Sequence, residues 1–594
     1  MTKYAIDTET GPFDPTVKQT NAWALEPYRE EFYVKLVCAV GKDGTKVVSD
    51  SAEITVETIK NLKEPVVYCH NAIFDISVLI RNVGYDTIKH IIFRDTGILA
   101  KWLNNSQRDE HFQYSLRNCI ERWLPDHPET AEFLGMKDNM EDSDEYWLTR
   151  VIADTELTLE LACELEKLLP REQAKGFITE CKALLPLAVG YMQGILVDHD
   201  VVDEMKVVYG AKIARALREA DLSESIVSSP SKLAYQLFTL WGLAPEGLTP
   251  KGKPSTSASN LKLIAIKSGD PRLLKLMEAK KAITVRNKYI QGFMKAKDYL
   301  GTNTMHSPPR LFNSYTGRMT YTSKMMKKYQ VGIALHQLPR KDKDVKRAMV
   351  APPGYKFFYA DYSAQEMRLM AQASEDRAML DAFHNGMDLH SLTTENIYGT
   401  PYDSIIEGKE TDEEIIDQRN CGKLTNLSSQ YRIGAKSLQT KFFEQYDKIV
   451  NLRESTHYLN SYKKTYPGIP RYWDKAIGMA RRNGFSHSLM DRRFYIHKLD
   501  WSGESSSINQ PIQGSGADLT VIAIGEVHER FPSNIFQITV HDSLCWLMPE
   551  DDDPLIMKEF LNSIDYSKYT RQKLLLAFPL DCAVGPNLAD LTPI

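Results

Sequence analysis

Apolar and polar positions alternate over Tyr4–Thr8, and Val66–Cys69 is a short apolar run, so both are predicted strands. Ser115–Leu124 and Thr155–Leu169 space their apolar residues at helical intervals, and Pro170 stops the second of them. This alternation predicts an α/β domain over residues 1 to about 170. Helical patterns continue from 174 to 222, a Ser-, Gly- and Pro-rich stretch fills Leu248–Asn260, and another helical run follows. Strand patterns return at Phe357–Tyr362 and Phe536–Leu547, with mostly helical residues from 375 to 480 between them. The expected order is an α/β domain, a helical arm, and a sheet-bearing domain interrupted by a helical insertion. No repeat of fixed period and no low-complexity tract breaks it.

Length and composition narrow the classes. The 594 residues suit about three to five domains. With 43% hydrophobic and 25% charged residues, a fibrous, collagenous or disordered chain is excluded. No run of about 18 apolar residues occurs, and the first residues read as a strand and not an export signal, so a cytoplasmic protein without a membrane partner is expected. Cys38, Cys69, Cys119, Cys163, Cys181, Cys421, Cys545 and Cys582 form no CxxC pair, which points to a reducing compartment and away from a zinc ribbon.

The net charge of -5 hides an asymmetry: Lys280–Arg347 holds 16 Lys and Arg against Asp298, Asp342 and Asp344, which leaves -18 for the remainder. Such a block either places phosphate affinity in one groove or forms a solvated basic face.

Two sets of acids carry candidate chemistry. In IDTET, Asp7 and Glu9 leave the same face of a predicted strand. HNAIFD places Asp75 after an apolar strand, and RVIAD places Asp154 early in an amphipathic helix. Singly, each is ordinarily a surface residue or a helix cap. Together they can hold two Mg²⁺ ions about 3.5 to 4 Å apart, one activating water and one steadying the leaving oxygen of a phosphodiester. In the second set, FFYADYSAQEMR delivers Asp361 at the end of one apolar strand and ITVHDSLCWL delivers Asp542 through a turn, so two adjacent strand tips would repeat the arrangement. Between them Arg419, Lys423, Leu427 and Tyr431 recur every fourth residue, one stripe on a helix of about four turns. Two cations followed by an apolar and an aromatic residue suit a nucleoside triphosphate lying along the helix, although an exposed amphipathic helix would show the same spacing.

The first set, DxE at Asp7 and Glu9, NxxxFD at Asn71, Phe74 and Asp75, then Asp154, resembles the 3′–5′ proofreading exonuclease domain of DNA polymerases. That family usually carries Tyr four residues, or His five residues, before the last Asp; here Arg150 and Thr149 stand there, and Tyr146 lies about two helical turns away. DYSAQEMR, the Arg419 segment and VHDS resemble motifs A, B and C of family A DNA polymerases. TGRM at Thr316–Met319, HQLPR at His336–Arg340, DLH at Asp388–His390, INQPIQGSGAD at Ile508–Asp518 and MQGILVD at Met192–Asp198 extend the resemblance over nearly the whole chain.

The resemblance implies an α/β multidomain fold: an RNase H-like exonuclease domain (1–185), a helical thumb (186–310), a palm in two parts (311–378 and 496–594) and fingers (379–495). It assigns two Mg²⁺ ions, replaceable by Mn²⁺, to Asp361 and Asp542, and another pair to Asp7, Glu9, Asp75 and Asp154. Arg419, Lys423 and His390 would meet the dNTP phosphates, with Lys423 also protonating pyrophosphate; Leu427 and Tyr431 would line the nucleotide and templating base, and Glu366 would crowd a ribose 2′-hydroxyl. Arg318, Asn509, Gln513 and His541 would touch primer-template DNA, and Lys280, Lys281, Arg286, Lys288, Lys295 and Lys297 its phosphates.

Four residues depart from the family pattern. Leu427 replaces Phe or Tyr, Ala364 replaces Gln, Ser505 replaces Arg, and Ser543 replaces the motif C Glu, changes that tune speed and fidelity.

The expected function is template-directed DNA synthesis with proofreading. The start of the chain at the exonuclease strand suggests a bacteriophage replicative enzyme, with a processivity partner unidentified. The alternatives are a polymerase with impaired proofreading, a single-subunit RNA polymerase, and a non-catalytic DNA-binding accessory protein.

Overall fold

The computed structural model describes residues 2–14, 18–60, 65–105, 112–135, 143–339, 342–446, 448–540 and 542–594. Strands β1 (Lys3–Gly11), β2 (Tyr33–Gly41), β3 (Lys46–Ser49), β4 (Val66–Cys69) and β5 (Ile92–Asp95) form the first sheet. Their order is β3-β2-β1-β4-β5, with β1 antiparallel to β2 and parallel to β4, and β4 parallel to β5. Every residue of β4 is buried, as expected of a central parallel strand covered on both faces.

Helix Asp144–Leu168 packs on β1 and β2 and is longer than the predicted Thr155–Leu169. Ser143 caps it by accepting from the Tyr146 amide at 3.2 Å, and Asp144 and Glu145 favour its positive end. Asp154 therefore sits mid-helix and not early in it, with Arg150 one turn before and Tyr146 two.

The predicted helical run from 174 to 222 is broken. Arg171–Cys181 and Leu184–Gln193 are helices, Gly194 at φ +66° turns the chain into the short strand Ile195–Val197, and His199–Glu219 follows. A Cβ at Gly194 would also lie 2.6 Å from Thr304, so this turn requires glycine twice over.

A second sheet carries β6 (Tyr355–Tyr362), β7 (Ile535–Val540), β8 (Ser543–Pro549), β9 (Leu580–Gly585) and β10 (Thr592–Pro593) in the order β7-β8-β6-β9-β10, antiparallel throughout. The strand pattern Phe536–Leu547 is a hairpin of two strands that reverses between Val540 and Ser543, where the sequence places the turn bearing Asp542. Between β6 and β7 lie the predicted helices, with a small core of their own that includes Ile397, Leu424, Phe442 and Tyr458. The 30-residue helix Trp501–Arg530 packs against Gln365–Ser374 and Gly468–Asn483.

A buried cation joins the two sheet-bearing regions. Arg492 is fully buried, bonded to Glu180 at 2.9 Å and Asp518 at 3.1 Å, with its guanidinium over the rings of Trp102 and Phe312. All eight cysteines are free thiols. Among the described residues no helix is long and apolar enough to cross a membrane.

Candidate active sites

The period of β1 places Asp7 and Glu9 on one face, and a register shift follows Glu9. Helix Asp144–Leu168 brings Asp154 to that face, and carboxylate oxygens of Asp7, Glu9 and Asp154 lie within 4.8 Å of one another. Asp75 is outside this 4.8 Å group but close enough to repel Asp7. It is buried in the first turn of helix Ala72–Val83, where it accepts a 2.7 Å hydrogen bond from the Thr8 hydroxyl.

Burial, then repulsion from Asp154, Asp75 and Glu9, holds the Asp7 carboxyl well above the usual carboxylate range. Burial and Asp154 push Glu9 to about 8, while burial opposed by the Thr8 bond leaves Asp75 at about 7. Arg150 lies against the trio: its Nε is 3.6 Å from Glu9 and 3.4 Å from Asp154, and its Nη1 donates to the Tyr146 hydroxyl at 3.4 Å. Three crowded carboxyl groups whose ionisation is opposed by burial and mutual repulsion form an oxygen donor set that fits a hard divalent cation, whose binding would release their protons.

Sequence reading missed Asp95. It caps helix Thr96–Asn104 through the Gly97 and Ile98 amides and also accepts from the Ala72 amide at 2.8 Å, which fixes where the Asp75 helix begins. The signal was available, since an Asp ending a strand just before a helical pattern is an N-cap.

The second pair lies on neighbouring backbone positions. Asp361, near the end of β6, stands directly across from Ser543, and the Tyr362 amide donates to the Asp542 carbonyl at 3.3 Å. On the other side Asp361 faces Asp581 of β9, an acid the sequence reading did not select. Adjacent strand tips bearing carboxylates fit divalent cations by the same donor chemistry.

Helix Glu413–Ser429, started by Asp412, which accepts from the Glu414 and Ile415 amides, is linked to the segment that follows Asp361 through Tyr431 and Glu366. Gly422 lets it touch helix Leu389–Tyr398, since a Cβ there would lie 2.1 Å from the Thr394 hydroxyl and 2.9 Å from the His390 carbonyl. Arg419 is half-buried, its Nε and Nη2 bonded to Asp388 at 3.0 and 2.6 Å, while Lys423 and Leu427 are exposed. Tyr431 is not on the helix as predicted. The helix ends at Ser429, Arg432 adopts φ +61°, and the Tyr431 hydroxyl turns back to donate to Glu366 at 3.0 Å.

Glu366 also pairs with Arg318 at 3.0 Å, so three residues assigned separately share one network. Burial, with Lys423 and Arg419 nearby, pushes His390 down to about 4. A neutral His390 whose Nδ1 meets the Asn426 amide at 3.2 Å accepts there and keeps its proton on Nε2.

A model of DNA polymerase family A matches residues 201–590. The chain belongs to DNA polymerase family A. It is 26% identical over 563 residues to DNA polymerase I of Chloroflexus aurantiacus, covering 89% of this chain and 55% of that one. It is 26% identical over 572 residues to the DNA polymerase of Mycobacterium phage L5, covering 92% and 87%. Among solved structures, the POL domain of Pol1 from M. smegmatis in complex with DNA primer-template and dNTP superimposes with a TM-score of 0.76 at 20% identity, covering 99% of this chain and 95% of that one. The chain spans about half the length of the Chloroflexus relative. The family match contains Asp361, Asp542 and the Arg419 helix and begins after the amino-terminal acids.

In this family A chain the residues expected on DNA are only partly available. Asn509 and Gln513 are half-buried on helix Trp501–Arg530, and His541 lies outside the described residues. Lys281 is exposed, whereas Lys280 donates to the Thr256 carbonyl at 2.9 Å, Lys288 to Gln337 at 2.6 Å, and Arg286 pairs with Glu224. Three of these four cations thus already have partners within the protein.

Proposed function

We propose that this protein extends a DNA primer along a template, adding deoxynucleotides at Asp361 and Asp542. The observation that carries the reading is the register that sets Asp361 across from Ser543, next to Asp542, with Glu366 of the following helix bonded to Tyr431 just past the end of the helix that bears Arg419 and Lys423. The solved relative held primer-template and dNTP, which supports DNA and dNTP as the ligands. Asp361 and Asp542 would hold the divalent cations, Mg²⁺ or Mn²⁺, which supply charge stabilisation and a more acidic primer hydroxyl when bound.

The chain's own groups do the positioning. Asp388 holds Arg419 by two of its nitrogens, so the guanidinium is set before a triphosphate arrives. His390 offers an Nε2 proton to a phosphate oxygen, and Lys423 supplies a second cation and the proton for pyrophosphate. Glu366, held by Arg318 and Tyr431, forms a wall against a ribose 2′-hydroxyl and selects deoxynucleotides. Primer extension tests this: Asp542→Ala should abolish extension while binding of the primer-template persists. A variant that polymerises at the parental rate would remove the assignment.

The amino-terminal cluster supports a second activity, 3′–5′ exonucleolytic removal of primer ends. Three of the four expected acids, Asp7, Glu9 and Asp154, meet on the sheet ordered β3-β2-β1-β4-β5, which supports an RNase H-like nuclease reading. A cavity of about 950 Å³ between this domain and the palm is lined by Asn71, Lys101, Tyr114, Arg310, Phe312 and Tyr315, cations and rings that suit a single strand. Incubation of 3′-labelled single-stranded DNA with Mg²⁺ and no dNTP should shorten it from that end, and Asp7→Ala should stop this. Digestion only from the 5′ end would refute it. The family resemblance and the relative from phage L5 support a role in phage genome replication.

A further inference from the structure

The side chain at position 150 introduces a full positive charge into the acid trio, one helical turn before Asp154. Its Nε is 3.6 Å from Glu9 and 3.4 Å from Asp154, two of the three carboxylates whose oxygens lie within 4.8 Å. Both separations exceed the roughly 2.7–2.9 Å of a tight charge-assisted hydrogen bond. The guanidinium is therefore an electrostatic neighbour of both acids, close enough to offset their charge. It is only 22% exposed, and its Nη1 is steered by the Tyr146 hydroxyl, whose ring packs edge-on to Trp147. Trp147 in turn lies under Lys35, a second cation at the rim of the site. Arg150 is thus built into the wall of the trio and does not trail in solvent.

We infer that Arg150 is a positioning residue that serves as the resident counter-ion of the trio, competing with the divalent cation for Glu9 and Asp154 and so raising the metal concentration at which the site fills. This inference rests on the exonuclease reading. Two carboxylates cannot serve the guanidinium and a cation equally well. Metal entry must pull Glu9 and Asp154 away from Arg150, and the lost attraction appears as weaker metal binding. The consequence for the whole enzyme is an exonuclease that stays switched off at metal concentrations sufficient for the polymerase site.

Mn²⁺ binding followed by electron paramagnetic resonance tests this without reading activity. The full chain carrying Asp361→Asn and Asp542→Asn, to silence the palm, is titrated with and without further changes. Arg150→Met should bind Mn²⁺ about tenfold more tightly, equivalent to about 1.4 kcal/mol, whereas Arg150→Lys should bind as weakly as the parent. Glu9→Gln should lose the bound ion in both the parent and the Arg150→Met background. If Arg150→Met and the parent bind equally tightly and Glu9→Gln still abolishes binding, the counter-ion inference fails while the acid-site reading stands. If no ion sensitive to Glu9 binds in any background, the acid-site reading fails and takes the inference with it.

Discussion

Glu9→Gln should make the cation-free protein more stable, by an amount that depends on pH. Burial and the Asp154 carboxylate push Glu9 from an ordinary 4.5 to about 8 in the fold. Between those values the folded state binds more protons than the unfolded state, so raising the pH erodes stability, by at most about 1.4 kcal/mol per pH unit. The full window would amount to roughly 5 kcal/mol. The Glu9 side chain keeps 15% exposure and Arg150 already offsets part of the repulsion, so about 2 kcal/mol is the expected loss at about pH 8. Gln mimics the protonated form and escapes it. For a transition of a domain this size, that corresponds to roughly 4–8 °C in Tm. Scanning calorimetry in EDTA should show the variant melting higher at about pH 8 and level with the parent near pH 4, below the window. Added Mn²⁺ should reverse the order, since a ligand at about 100 times its Kd stabilises the parent by about 2.7 kcal/mol and the variant hardly at all. A difference independent of pH, or a variant less stable in EDTA at about pH 8, would refute the reasoning.

Three further outcomes follow from other contacts. Glu366→Ala should raise ribonucleotide incorporation at least about tenfold in single-nucleotide primer extension, while Glu366→Gln, which keeps the bulk, should retain most of the rejection; equal rejection by all three proteins would show that Glu366 is not the wall. Gly422→Val should force apart the two helices that meet at Thr394 and lower affinity for dNTP in steady-state kinetics, because a Cβ 2.1 Å from the Thr394 hydroxyl displaces His390 with it; an unchanged KM would count against this. Arg492→Ala should destabilise the protein by roughly 3–5 kcal/mol in urea unfolding, since it leaves Glu180 and Asp518 buried without their shared cation.

What the chain made legible, and what it hid, divides along a physical line. Asp361, Asp542, Asp7 and Glu9 could be placed because strand period and strand ends are local properties, and the hairpin and register then brought distant tips together. Asp581 escaped because its importance lies only in pairing across from Asp361, a partnership 220 residues away in sequence and invisible to any local pattern. Tyr431 was placed on the helix by its spacing, but spacing says nothing of where a helix stops, and the left-handed Arg432 turns its hydroxyl back toward Glu366. The same limit explains Arg150. From the sequence it was a residue standing where the family has tyrosine; only the longer helix, capped at Ser143, shows that its charge reaches both Glu9 and Asp154. A departure from a family pattern thus identifies a position, and the charge placed there by the fold decides what that departure does.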